Sequence, residues 1–210
     1  MSDIELKHHN LKVLFTQALA DLLFFDDWGD KLLTEAEVQC GFAEGYHRII
    51  FPNGIIEIID FLENQYDQKM LKLLAEHEVP IKIKDRIALA LKIRIKNYVP
   101  KLVHLKNSIY YARPTNTISA IKIALRTCNL IWRYAGDRST DHNYYTKRSL
   151  LLGVYVTSII YYLQDDSENS VETDQYIIES LSDIVNITSK FKSIFTLPKL
   201  VDLPIIRLFS

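Results

Sequence analysis

Residues 132–148 read W-R-Y-A-G-D-R-S-T-D-H-N-Y-Y-T-K-R, a polar and aromatic stretch that joins two long apolar segments. The first segment, residues 118–134, has apolar side chains over a broad face at helical spacing, and the second, residues 150–163, is apolar nearly all round. Gly136 can end the first helix, and Asp141 or His142 can begin the second. This stretch therefore predicts two packed helices joined by a surface loop, a place where helical proteins contact partners.

Helical periodicity also dominates the rest of the chain. In residues 6–25 the apolar side chains repeat every three to four positions, and we expect Asp30 to cap the second helix and Gly41 to end it. Further helices are expected at about residues 30–40, 42–50, 55–77, 100–113, 114–134, 141–163 and 172–191. The pattern predicts an all-α bundle of about nine helices, or ten if the C-terminal segment forms one.

The segment 81–96 is ambiguous. Its isoleucines and leucines all fall on odd positions, which is strand periodicity, but Ile83, Ile87, Leu91 and Ile95 also repeat at i, i+4. A single strand over this whole range would be unusually long, so we predict a helix. The same segment carries a cluster of basic residues, which we interpret as a solvated face, with attraction to acidic phospholipid or an acidic partner as the alternative. The cluster consists of Lys82, Lys84, Arg86, Lys92, Arg94 and Lys96.

No motif points to catalysis, a cofactor or a metal. The chain has 210 residues and a net charge of −1, and its two cysteines lack metal spacing, so we expect them to be buried thiols in a reducing compartment. Glu44 and His47 form one Glu-x-x-His pair, whereas a di-iron bundle needs two such pairs, so we expect an ordinary exposed Glu and His. Nucleophile elbows and phosphate-binding glycine loops are missing from the sequence. We therefore predict no catalytic residues, no cofactor and no metal ligands, although an enzyme of unknown type stays an alternative.

The order of the first helices is that of a helix-turn-helix head. Tetracycline-repressor-type (TetR) regulators begin this way and continue as an all-α ligand-binding body. Residues 26–53, however, carry six acidic and two basic side chains. Because DNA binding needs cations that displace counterions, we expect no nucleic-acid partner, and a TetR-type transcriptional regulator is the alternative function.

The C-terminal stretch, residues 191–210, is apolar and weakly basic. It either packs onto its own domain or lies as an amphipathic segment in a bilayer interface. Residues 150–163 span only about 20 Å as a helix, so we expect a buried helix and not a membrane span. Apolar patterning alone favours a plain core over a cavity among these central helices. The first seven residues lack a basic-then-apolar pattern, so we expect neither a secretory signal nor a transit peptide.

Residues 135–148, followed by an apolar helix and L-Q-D-D-S at 163–167, resemble the signature of the Coq-nine family, TetR-like accessory proteins of ubiquinone (coenzyme Q) biosynthesis. The resemblance covers about residues 10–190. Four shorter fragments agree in order, at residues 25–28 (F-D-D-W), 50–54 (I-F-P-N-G), 85–87 (D-R-I) and 112–116 (A-R-P-T-N).

The resemblance implies a non-catalytic, homodimeric, TetR-like protein that has lost DNA binding. It would bind an isoprenoid quinone or phospholipid and present quinone intermediates to the di-iron demethoxyubiquinone hydroxylase at a membrane surface. The expected domain covers residues 1–190, with a vestigial helix-turn-helix head at 1–54, a lipid-binding and dimerisation body at 55–190, and an amphipathic tail at 191–210. We expect a cytoplasmic protein, peripheral on the inner face of the bacterial inner membrane, or on the mitochondrial matrix side if the source is eukaryotic.

Site residues follow partly from the resemblance and partly from apolar placement. The family's exposed aromatic pair matches Tyr144 and Tyr145, although the first position is usually Trp. With Asp137 and Arg148 these residues form the predicted partner-binding site. The predicted lipid-binding residues are Trp132, Leu151, Tyr155 and Ile159. The predicted membrane-binding residues are Phe195, Leu200, Leu203, Ile206 and Phe209.

Overall fold

A computed structural model describes residues 3–138 and 142–194 of the chain, with side chains described for residues 4–138 and 144–183. These residues form helices and no strands, so the predicted all-α class is confirmed. The helices are α1 (Asp3–Leu22), α2 (Asp30–Cys40), α3 (His47–Ile50), α4 (Ile55–Glu76), α5 (Ile83–Lys92), α6 (Lys101–Tyr111), α7 (Thr117–Tyr134), α8 (His142–Gln164) and α9 (Val171–Ile194).

The ambiguous segment is helical from Ile83, as predicted, and Ile87, Leu91 and Ile95 form a buried stripe, whereas Ile83 is exposed. After α5 the helix widens into a π-helical turn at Ile93–Asn97. Such turns are rare and occur often at functional sites.

The two ends of α2 differ in how well they agree with the prediction. Gly41 ends α2 in the left-handed conformation, with φ of 69°, as expected. The predicted cap by Asp30 is wrong, because Gly29 occupies the capping position and no side chain hydrogen-bonds there. Asp30 instead lies in the first turn of α2, where its negative charge interacts favourably with the positive end of the helix dipole.

Two hydrophobic cores lie along the molecule and share α4. The head core joins α1, α2 and the first half of α4, with Phe15, Leu32 and Ile58 fully buried. The body core joins the second half of α4 to α5, α7, α8 and α9, with Met70 and Ile131 fully buried. Since α4 has 22 residues, it is about 33 Å long and spans both cores.

The basic cluster is not a uniformly solvated face, so that interpretation is wrong for Arg94. This side chain is completely buried. Lys92 and Lys96 form ion pairs with Asp174 on α9, at 3.7 and 2.8 Å. Arg86 donates to the backbone carbonyls of Pro80 and Ala135. These residues fasten α5 to its neighbours.

The expectation of an exposed Glu44–His47 pair is wrong for the histidine. Glu44 is exposed, but His47 is buried and its Nδ1 lies 2.7 Å from a carboxylate oxygen of Glu37 on α2. The Glu37 carboxylate also accepts the backbone N–H groups of Gly45 and His47, so it fixes the turn between α2 and α3. The role of the Glu37–His47 pair is therefore structural.

Both cysteines are free thiols. Cys128 is buried as expected, whereas Cys40 is only half-buried. Within the described residues, none of the helices combines the length and apolarity that crossing a bilayer requires.

Candidate functional site

A cavity of about 320 Å³ lies between α6, α7 and α8 and reaches α4. Three lining residues, Ile121, Val156 and Ile160, are 44%, 43% and 51% exposed and form its mouth. At the other end the lining is polar and buried. We define this polar end as Glu63, His104, Asn107, Tyr111 and Thr127. The cavity is thus an apolar channel with a hydrogen-bonding end inside the protein.

Helical spacing explains why these residues meet. Leu152, Tyr155 and Ile159 of α8 lie three to four positions apart, so they share one face of that helix. On α7 the facing positions are Ala120 and Ala124, one turn apart. Because two methyl groups stand opposite large residues, the space between the helices is not filled. The plain core that patterning favoured is therefore wrong at this place.

The polar end continues into a buried ionic network. Nε of Arg94 donates to Asp67 at 2.8 Å, and its terminal nitrogen pairs with the Glu63 carboxylate. Asp67 also accepts the hydroxyl of Thr127 at 2.9 Å, and Glu63 accepts the side-chain amide of Asn107 at 2.9 Å. The two carboxylates on α4 are thus matched to one fully buried guanidinium.

The pKa values of the two carboxyl groups move in opposite directions. Burial opposes ionisation of both, but for Glu63 the charge of Arg94 and the hydrogen bonds prevail and the pKa is lowered. For Asp67 burial prevails and the pKa is raised, although Arg94 and Thr127 act against it. Burial also lowers the pKa of His104 to about 4, so its imidazole is neutral at physiological pH.

Several hydrogen-bonding atoms at the cavity lack a partner among the described residues. Nε2 of His104 lies 3.0 Å from the Ile95 carbonyl in the π-helical turn, so this nitrogen carries the proton and Nδ1 is left as an acceptor. The Tyr111 hydroxyl is buried without a partner. The Tyr155 ring is 4% exposed, and burial raises the pKa of its hydroxyl strongly. A buried hydroxyl without a hydrogen bond is costly, so these groups are suited to a polar ligand atom.

The loop between α7 and α8 is held by charge pairs on both sides of residues 139–141, which lie outside the described residues. Asp137 pairs with Lys147 and with Arg148, each at 2.6 Å. Arg148 is buried, and its guanidinium lies 3.8 Å from the centre of the Tyr144 ring. Tyr145 is 71% exposed and meets the Tyr144 ring edge-to-face. Of the four predicted partner-binding residues, only Tyr145 is therefore freely presented to solvent.

The predicted lipid-binding residues separate into two groups. Tyr155 and Ile159 line the cavity. Leu151 lies in the body core, and Trp132 packs beside it and donates from Nε1 to the Lys147 carbonyl. The predicted membrane-binding residues Phe195, Leu200, Leu203, Ile206 and Phe209 lie outside the described residues.

Sequence reasoning missed the polar end of the cavity. A signal was present, because Glu63 and Asp67 lie one turn apart on the apolar stripe of α4, and Arg94 lies on the stripe that contains Leu91. Charges on two buried stripes indicate a buried ion pair. Tyr111 and His104 carried no comparable signal, since tyrosine and histidine occur often on half-buried helix faces.

Comparison with known proteins gives related sequences and a common fold. The model of the family described as COQ9 matches residues 117–188. The chain is 25% identical over 173 residues to the ubiquinone biosynthesis protein COQ9-A, mitochondrial, of Xenopus laevis, covering 81% of this chain and 48% of that protein. Human COQ9 is 22% identical over 176 residues, covering 80% of this chain and 55% of that protein. The chain spans about half the length of these relatives.

A crystal structure of a TetR transcriptional regulator from Nitrosomonas europaea superposes with a TM-score of 0.65 at 19% identity, covering 82% of this chain and 97% of that one. This likeness shows the fold, and the predicted TetR-like architecture is confirmed. The family match includes all of α7 and α8 and about three quarters of α9, the helices that form much of the cavity wall and the body core. The predicted resemblance to the Coq-nine family is confirmed, because the chain is similar in sequence to the COQ9 proteins and has a TetR-like fold.

Proposed function

We propose that this protein is a non-catalytic, lipid-binding accessory protein of ubiquinone biosynthesis. It binds isoprenoid quinone intermediates in the cavity between α6, α7 and α8 and hands them to the di-iron demethoxyubiquinone hydroxylase at a membrane surface. The observation that carries the proposal is the cavity with its apolar mouth. The similarity to ubiquinone biosynthesis proteins supports the pathway.

The cavity suits part of a prenyl lipid better than a whole one. Its volume of about 320 Å³ is at the small end of the ~300–1,000 Å³ of typical ligand pockets. A polyprenyl chain would extend past Ile121, Val156 and Ile160, whose exposed side chains continue the apolar lining to the surface. Burying that chain contributes about 25 cal/mol per Å² of apolar area removed from water.

Organic extraction of the purified, detergent-free protein, followed by mass spectrometry, tests this role. We expect a quinone or isoprenoid in stoichiometric amount, or its uptake when quinone is added. An empty protein that takes up no added quinone would contradict lipid binding and leave at most a protein–protein adaptor.

We further propose that the α7–α8 loop docks the hydroxylase through Tyr145. An exposed aromatic side chain held by a rigid base is typical of an interface anchor, and here Tyr144, Arg148 and Asp137 supply the base. Tyr145→Ala should abolish pull-down of the hydroxylase, whereas Phe25→Ala, which removes an 84% exposed aromatic ring from the head, should not. Undiminished pull-down by the Tyr145 variant would refute docking at this loop.

A homodimer and a membrane-bound tail complete the proposal. Val171 and Ile178 on α9 are exposed apolar residues outside the cavity mouth, as expected of a face that a second copy covers. Sedimentation would detect the dimer. Deleting residues 191–210 should abolish flotation with liposomes, and unchanged flotation would exclude the tail as the membrane contact. We place the protein on the inner face of a bacterial inner membrane, or on the matrix side in a eukaryote.

The TetR fold favours one second candidate, a transcriptional regulator. The head argues against it, because α3, where a recognition helix would lie, has four residues and the surrounding segment 26–53 is acidic. A gel shift on the upstream region of the protein's own gene at moderate salt distinguishes the two functions. Specific retardation would favour the regulator.

A further inference from the structure

The polar end of the cavity has hydrogen-bonding capacity that the protein itself does not use. The Tyr111 hydroxyl is buried and has no partner. His104 Nδ1 and the Tyr155 hydroxyl have none among the described residues either, although both residues line the cavity and are 4% exposed. A cavity that bound only hydrocarbon would leave the buried Tyr111 hydroxyl unsatisfied and would offer no partner to the other two groups, which is unfavourable.

The charge at this end selects against ionic head groups. The residues that line the cavity include no lysine or arginine, and the one carboxylate among them, Glu63, is paired with Arg94. A phosphate head group would lose its hydration, meet no cation and lie close to the Glu63 carboxylate. A neutral ring with carbonyl or hydroxyl oxygens fits, because tyrosine hydroxyls donate to such oxygens and His104 Nδ1 accepts from a ring hydroxyl.

Ring and chain cannot both lie inside. The volume is small, the polar groups are at the buried end, and the apolar residues continue to the mouth. The order of polar and apolar lining therefore fixes the direction in which an amphipathic ligand enters.

We propose that the cavity binds a neutral quinone or phenol lipid head first, with a ring oxygen at Tyr111, Tyr155 and His104 and the prenyl chain leaving between Ile121, Val156 and Ile160. This inference rests on the proposed lipid-binding role of the cavity. It implies that the ring is shielded until a partner draws it out at the mouth.

Two probes with the same alkyl chain test the head group, namely a decyl-substituted benzoquinone and decylbenzene, each delivered to the full chain from a cyclodextrin carrier. Bound lipid is measured by mass spectrometry after gel filtration. Tyr111→Phe and Tyr155→Phe remove one hydroxyl each and keep the ring. Tyr134→Phe is a matched control, because the Tyr134 hydroxyl is also buried without a partner but does not line the cavity.

The wild-type protein should prefer the quinone. Tyr111→Phe and Tyr155→Phe should each weaken quinone binding by roughly two- to twelvefold, the range of one net hydrogen bond, and leave decylbenzene binding unchanged. Tyr134→Phe should bind both probes as the wild type does. The urea midpoint of Tyr111→Phe should not fall, since no hydrogen bond within the protein is lost.

Different failures refute different statements. If the wild type binds both probes equally and neither cavity variant changes this, head-first recognition is overturned while lipid binding stands. If the wild type binds neither probe, the proposed function fails and the head-first mode fails with it. Equal weakening of both probes by Tyr111→Phe would also overturn head-group recognition, because it would reflect a change of cavity shape.

Discussion

Arg94→Met should destabilise the fold strongly without enlarging or overfilling the core. The guanidinium is fully buried and pairs with Glu63 and Asp67, both of which are also buried. Methionine replaces its aliphatic stem and is apolar, so the change mainly removes a charge. Two carboxylates on α4 then remain in the interior with their neutralising partner gone.

The expected cost follows from that burial. Removing one partner of a buried ion pair typically costs about 3–5 kcal/mol, because the other charge stays desolvated. Asp67 keeps Thr127 and a contact with Arg126, and Glu63 keeps Asn107, so we expect a value within this range and not above it. A small domain has a total stability of about 5–15 kcal/mol, so the variant should remain folded but marginal.

Urea unfolding followed by circular dichroism measures the effect. With a denaturant slope of about 2 kcal/mol per molar, the midpoint should fall by roughly 2 M. Arg133→Met, the same substitution at an exposed position on α7, should stay within about 0.5 kcal/mol of the wild type. The triple variant Glu63→Gln, Asp67→Asn, Arg94→Met should recover most of the loss. If Arg94→Met were no less stable than Arg133→Met, the charges would not be desolvated as the structure indicates.

Three further predictions concern the pH profile, the cavity and the backbone. Because burial lowers the pKa of His104 from 6.5 to about 4, the unfolded chain takes up a proton between these pH values that the folded protein does not. The free energy of unfolding should therefore be full above pH 6.5 and fall by about 3 kcal/mol towards pH 4. The urea midpoint of His104→Gln should fall less than that of the wild type over this pH range, and an equal fall in both would contradict the prediction. Ala124→Trp should fill the cavity and abolish quinone uptake. Ala43→Trp, at an exposed position, should leave quinone uptake unchanged. Quinone uptake by both variants would mean that the lipid binds elsewhere. Gly136→Ala should destabilise the protein by at least about 1 kcal/mol, because φ at this position is 96°. Gly153→Ala at an exposed position of α8 should instead stabilise the protein by up to about 1 kcal/mol. If thermal melts showed that both variants raise, or both lower, the melting temperature, these backbone conformations would be contradicted.

The helices could be predicted from the sequence because each has its own local pattern. An apolar stripe, a stop such as Gly41 or Gly136 and a proline before α6 act within a few residues, so they can be read without the fold. Even the segment with two competing periodicities was assigned to a helix by the argument from strand length. The wrong cap at Asp30 shows the limit of this approach, because Asp and Gly are both acceptable at such a position.

The cavity could not be predicted because it depends on which residues face one another. Ala120 and Ala124 are ordinary helix residues, and only their position opposite Leu152 and Tyr155 leaves the space open. The exposed mouth has the same origin, since Ile121, Val156 and Ile160 are apolar residues that a sequence pattern assigns to the core. Two of the four predicted lipid-binding residues, Tyr155 and Ile159, line the cavity. The apolar pattern of α8 identifies the helix that lines the cavity, but it does not show which of its residues face the cavity and which face the body core.

The buried network connects the head to the polar end of the cavity. Trp28, in the loop after α1, donates from its indole nitrogen to Asn107 at 2.8 Å, and Asn107 in turn donates to Glu63. From Glu63 the network passes through Arg94 to Asp67 and Thr127, so one hydrogen-bonded chain runs from the head to the wall of the cavity. Without the head, the side-chain carbonyl of Asn107, a residue of the polar end of the cavity, would lose its donor. The head therefore helps to hold the polar end of the cavity in place, which is a structural role that requires no contact with DNA.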